Sequence, residues 1–218
     1  MSALLAELEG EVLVLTLNRP EKANAMNQAM QNSLVEKLSG SRPIVIAASG
    51  PRIFSAGADL QEFSDLDRGI AAKKRRELLQ RTLAAVLDFP RPLVAAVQGK
   101  ALGAGCMLAL LADELVMAEG AELGLPEIRH GIPTPVGYAI VAARAGMPLA
   151  RRMVQDGASV GTGLADFVCE KPALRQKALE RATALASGPD AAYQANKKYI
   201  NASLKAALQA AFAEAGRL

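Results

Sequence analysis

The sequence predicts an α/β protein with parallel strand pairing. Short apolar runs alternate along the chain with runs of helical spacing, the order that right-handed crossovers produce. Two of the apolar runs, 44–48 and 94–97, each feed a loop of glycines and small residues. At 218 residues, 51% hydrophobic and 22% charged, the chain can bury a full core beneath a solvated surface.

The first element is a strand over residues 11–18, preceded by a turn at Gly10 and broken by Asn18-Arg19-Pro20-Glu21-Lys22. Met30, Leu34, Val35 and Leu38 are spaced for a helix over 27–38, ended by Gly40 and Pro43. A strand at 44–48 leads into the first glycine turn, where Asp59 is expected at a helix N-terminus. Residues 65–88 form a charged helix, stopped by Pro90 and Pro92. The stretch 94–110 reads as buried strand, tight turn and buried helix, with Gly99, Gly103 and Gly105 in the turn. A short strand at 114–118 precedes a loop studded with Pro and Gly over 121–135. Helices run from near Pro135 through Ala143 and over 149–155, and a last strand lies at 164–168. From Pro172 onward the chain reads as helices broken at Gly188-Pro189. The expected division is a core domain over 1–170 and a helical extension over 171–218.

Composition narrows the function. A net charge of +3, scattered along the chain, argues against nucleic acid. The one basic cluster, Lys73-Lys74-Arg75-Arg76, reads as a solvated helix face, with a contact to phosphates as the alternative. Two cysteines, Cys106 and Cys169, suggest no disulfide framework and fit a reducing compartment. The first residues lack a basic and cleavable leader, and the apolar run 101–112 is too short to span a bilayer. A cytoplasmic protein with no membrane partner is expected.

Familiar catalytic routes fall away. There is no Gly-x-Ser-x-Gly elbow, and His130 is the only histidine. No cluster has metal-ligand spacing, and Gly99-Lys100 lacks the rest of a Walker A loop. Gly103-Ala104-Gly105 begins a dinucleotide fingerprint, but Leu108 stands at its third glycine. Tyr193 and Lys197 have the spacing used by short-chain dehydrogenases, without the glycine-rich first turn such an enzyme needs. What remains is a pair of turns able to aim two backbone N–H groups at one oxygen, an oxyanion hole without charged side chains. Packing alone could equally explain the glycines. Glu127 is the best ionisable candidate, because Leu125, Ile128 and Ile132 would raise its carboxyl pKa toward a working pH. On local sequence alone, a capping glutamate or one paired with Arg129 is the better reading.

Four pieces of the chain resemble the crotonase (enoyl-CoA hydratase/isomerase) superfamily, in the family's order. They are Leu17-Asn18-Arg19-Pro20-Glu21-Lys22-Ala23-Asn24-Ala25-Met26, Phe54-Ser55-Ala56-Gly57-Ala58-Asp59-Leu60, the stretch from Val94 to Cys106, and Leu125-Pro126-Glu127 with Gly131-Ile132-Pro133. Together they cover roughly residues 8–170. The resemblance implies a spiral of β-β-α units, usually in a trimer or a pair of trimers. It implies an acyl-CoA thioester in a bent pose, with coenzyme A as part of the substrate and no separate cofactor or metal. The thioester oxygen would accept from the N–H groups of Ala58 and Ala104. Adenine contacts fall on the 54–58 loop, with Ala56 a candidate, and Lys22 approaches the phosphates.

The family's hydratases commonly use two glutamates. The second aligns with Glu127; the first aligns with Met107, a substrate-site position that here can neither hold water nor move a proton. One carboxylate suffices for double-bond isomerisation, and hydration by Glu127 alone stays open. Against the family pattern the C-terminal helical region is shortened, as are the stretches 38–43 and 155–164, which suggests a more open pocket for bulkier acyl groups. A catalytically degenerate member that binds CoA thioesters or a sister subunit is the alternative.

Overall fold

The computed structural model describes residues 2–217; Met1 and Leu218, the outer bounds of the expected domain division, lie outside them. Two strands, β1 (Leu4–Glu9) and β2 (Val12–Leu17), form an antiparallel hairpin around Gly10, whose φ of +59° suits the tight turn. The sequence shows only the second arm. β1 is an edge strand that buries Leu4 and leaves Leu5 and Leu8 exposed, so it carries no clean alternation.

Beyond β2 the main sheet continues through β3 (Ile44–Ala48), β5 (Leu93–Val97), β7 (Glu114–Ala118) and β10 (Phe167–Cys169), all parallel. A smaller second sheet joins β4 (Ile53–Ser55), β6 (Lys100–Leu102), β8 (Glu122–Gly124) and β9 (Ser159–Val160). Each of β3, β5 and β7 is thus followed by a short strand in the second sheet and then by a helix. Those helices are α2 (Arg68–Asp88), α3 (Ala104–Leu110) and α4 (Pro135–Ala145), the last followed by α5 (Met147–Gln155). The repeated unit makes a β-β-α spiral.

Period-two alternation sorts the main sheet onto two cores. Leu15, Leu17, Ile44, Ile46, Leu93, Ala95, Val97, Leu115 and Met117 face the large core, with α1 (Gln28–Lys37), α2 and α3. Val12, Val14, Val45, Val94, Ala96, Val116 and Ala118 face the other way. Leu174, Ala178 and Ala182 of α6 (Leu174–Leu185) cover them. The final helix, α7 (Asp190–Ala215), buries Leu208 and Phe212 in the large core.

Several expectations are corrected. No regular helix follows Asp59; α2 starts at Arg68, capped by Asp67, whose Oδ1 accepts from Gly69 N at 2.8 Å. The strand-turn-helix at 94–110 contains the extra strand β6. The last strand is Phe167–Cys169, because Thr162–Leu164 is a short 3-10 turn. Lys197 is buried, 7% exposed, and its Nζ donates to Asp113 Oδ2 at 2.6 Å and Arg91 O at 3.0 Å. Within the basic cluster, Lys73 and Lys74 are exposed, whereas Arg75 and Arg76 donate to Glu62 O and Ala215 O. No helix among the described residues is long and apolar enough to cross a membrane.

Candidate active site

The first glycine turn leaves β4 at Ser55 and runs beside the loop that comes after β2. Ser55 Oγ donates to Asn24 O at 2.9 Å and accepts from Gly57 N at 3.2 Å. Ala56 N donates to Ala23 O at 2.9 Å. Met26 and Ala58 then form an isolated parallel bridge: Met26 N donates to Gly57 O at 2.8 Å, and Asp59 N to Met26 O at 3.3 Å. In such a bridge the neighbours of Ala58 make the bonds, so the Ala58 N–H is turned away from Met26.

The second turn stands on secondary structure. Gly103 N donates to Gly124 O at 2.9 Å, and Gly103 O accepts from Met107 N at 3.0 Å. Ala104 is the first residue of α3, so its N–H has no acceptor within the helix. The two turns touch. A Cβ on Gly57 (φ +104°) would stand 3.0 Å from Leu102 O and 3.4 Å from Ala104 N. A Cβ on Gly105 would stand 2.5 Å from Ser55 Cβ. Only glycine allows that approach, so the packing of the two turns against each other accounts for these glycines.

Glu127 lies in a 3-10 turn, Pro126–His130, entered through the fixed φ of proline. Its Oε1 would be 3.0 Å from a Cβ on Gly103 (φ +52°), so the carboxylate rests against the second turn. Oε2 is buried with no hydrogen-bond partner among the described residues. Burial pushes the Glu127 carboxyl above its ordinary value, and its own backbone N–H offsets part of that rise. Arg129 is not its partner; that guanidinium donates to Gly157 O at 3.1 Å. Cys106 is wholly buried, and its thiol is pushed up by burial first and by the Glu127 charge second.

The structure therefore brings Ala58, Ala104 and Glu127 to one place from three separate elements. Ala56 is exposed beside Gly57, and Lys22 Nζ lies 3.4 Å from Gln61 Oε1 on the neighbouring loop. Met107 is 3% exposed, in the second turn of α3, and packs in the large core. Sequence reasoning does not find Ser55, Asn24 or the pair of Arg19 with Asp59, whose partners lie far apart along the chain. A cavity of about 500 Å³ between α4 and α7 includes none of Ala58, Ala104 or Glu127 among its lining residues. Its charged lining residues are each paired, Lys197 with Asp113 inside the cavity, Glu114 with Arg181 and Arg144 with Asp166 beyond its lining. The dehydrogenase-like spacing of Tyr193 and Lys197 is absorbed there, both side chains meeting Asp113. No group of three or more His, Cys, Asp or Glu among the described residues could hold a metal ion.

A β-β-α spiral with two abutting glycine turns defines a crotonase-type protein. A family model described as enoyl-CoA hydratase/isomerase matches residues 7–218, and the chain belongs to that family. It is 38% identical over 230 residues to the 2,3-dehydroadipyl-CoA hydratase of Escherichia coli (strain K12), covering 100% of this chain and 89% of that protein. It is 31% identical over 207 residues to the carboxymethylproline synthase of Pectobacterium carotovorum subsp. carotovorum, covering 89% of this chain and 83% of that protein. Among solved structures, an enoyl-CoA hydratase/isomerase from Mycobacterium paratuberculosis aligns with a TM-score of 0.88 at 26% identity, covering 100% of this chain and 93% of that one. These relationships make the chain an enoyl-CoA hydratase/isomerase enzyme.

Proposed function

We propose that the enzyme binds an enoyl-CoA thioester oxygen between the N–H groups of Ala58 and Ala104 and moves protons with Glu127 alone. Fixed N–H dipoles stabilise the negative charge that gathers on this oxygen as the α-carbon becomes acidic; losing one such donor costs about 3 kcal/mol. The Glu127 carboxylate takes a proton from one carbon and returns it to another, which shifts a 3,4 double bond into conjugation at 2,3. Met107 supports isomerisation over hydration, since no second carboxylate stands there to hold water. Lys22 and the exposed Ala56 are assigned to the coenzyme A moiety. The thioester is the substrate, with no separate cofactor or metal, and a homotrimer or a dimer of trimers in the cytoplasm completes the proposal.

The observation that carries this reading is the convergence of Glu127 Oε1 on Gly103 and of Gly57 on Ala104. The test is to supply crotonyl-CoA and a 3-enoyl-CoA separately and follow the conjugated-enoyl absorbance. Its rise with the 3-enoyl substrate marks isomerisation, and its fall with crotonyl-CoA marks hydration. No change with either substrate, despite thioester binding, would identify the degenerate binder instead. A Glu127→Gln variant that keeps full turnover would remove Glu127 from the role.

A further inference from the structure

We infer that Arg19 is a positioning residue for the Ala58 donor, acting through Asp59. This inference rests on the oxyanion-hole reading. The Arg19 Nη1 atom donates to Ala25 O at 2.7 Å and to Asp59 Oδ2 at 2.8 Å, which uses both of its N–H bonds. Ala25 precedes Met26 and Asp59 follows Ala58, so the guanidinium fastens together the two chain segments that form the Met26–Ala58 bridge. The side chains of Arg19 and Asp59 are only 16% and 14% exposed, so water screens the pair poorly. The loop carrying Arg19 needs such fixing. Ala23 and Asn24 both hold positive φ angles, 51° and 52°, and Asn24 Oδ1 accepts from Arg19 N at 2.9 Å. The peptide that carries the Ala58 N–H is thus aimed by a charge contact made one residue away. Nothing comparable is needed at Ala104, where a helix sets the direction of the N–H.

The carbonyl stretch of bound butyryl-CoA, labelled with carbon-13 at the thioester carbon, reads the strength of the donors directly. Wild type should lower that frequency relative to free butyryl-CoA. Arg19→Ala should lose at least half of the shift and about 10- to 100-fold in kcat, the scale expected for a small misplacement in a reacting site, with KM nearly unchanged. Arg19→Lys should restore part of both, and Asp59→Asn should match Arg19→Ala. Should the alanine variant fail to fold, Arg19→Lys and Asp59→Asn carry the test. A full carbonyl shift and full kcat in folded variants would overturn the inference and leave the pair a structural contact. No shift in wild type would instead sink the oxyanion hole itself, and the inference with it.

Discussion

The turn at Ala104 is framed on every side by regular structure: β6 leads in, α3 leads out, and Gly103 N is tied to Gly124 O at 2.9 Å. The turn at Ala58 has a strand on one side only. Irregular chain runs on from it as far as Arg68, and its bonds reach the separate loop 19–26 through Ser55, Asn24 and Arg19. The direction of the backbone N–H is thus set by local helix geometry at Ala104 and by long-range polar contacts at Ala58. Damage to the two turns should therefore differ in kind. At Ala104 it should arise from sterics, and at Ala58 from lost hydrogen bonds.

Glu127→Gln sets the upper end of the scale because it leaves both turns intact. It should lower turnover about 10²- to 10⁴-fold, with thioester binding retained, as the loss of a proton carrier does. Kcat measured beside thioester Kd checks this. Gly103→Ala attacks the helical turn. Its Cβ would stand 3.0 Å from Glu127 Oε1 in a backbone conformation (φ +52°, ψ −124°) that L side chains avoid. Strain of about 1–3 kcal/mol should appear in urea unfolding, and displacement of the carboxylate should lower kcat about 100-fold. Ser55→Ala attacks the other turn with no added bulk. It strips the acceptor from Gly57 N and the donor from Asn24 O, both buried, and should cost about 1–3 kcal/mol in the same assay. If Ser55→Ala proved neutral, the contrast between the turns would fail.

The same contrast explains what could be read from the chain. The strands at 44–48, 93–97 and 114–118 are legible because burial on both faces demands unbroken apolar runs. Gly57, Gly103 and Gly105 are legible as turn formers, and Glu127 as a carboxyl among apolar neighbours. The second sheet is not, since β4, β6 and β8 are three residues each, too short for any periodicity. Lys197 carries no local sign of burial, because its partner Asp113 is brought to it only by the packing of α7. Arg19 and Asp59 likewise meet across 40 residues, where no helical or strand spacing links them.

The smallest effect predicted is a pH dependence of stability, and its sign comes from burial. The folded state favours the protonated Glu127 carboxyl, so its pKa there lies above the unfolded value. Between those two values the folded chain binds more protons than the unfolded one. This contribution is fully present below the ordinary carboxylate range and is lost as pH rises through the raised value. Urea midpoints measured across that window should therefore fall with rising pH more steeply for wild type than for Glu127→Gln. The acid limb of kcat should sit above the ordinary carboxylate range as well, because the base must be ionised to act. Parallel urea profiles in the two proteins would mean that the buried Oε2 finds water, and that neither turn shields the carboxylate from it.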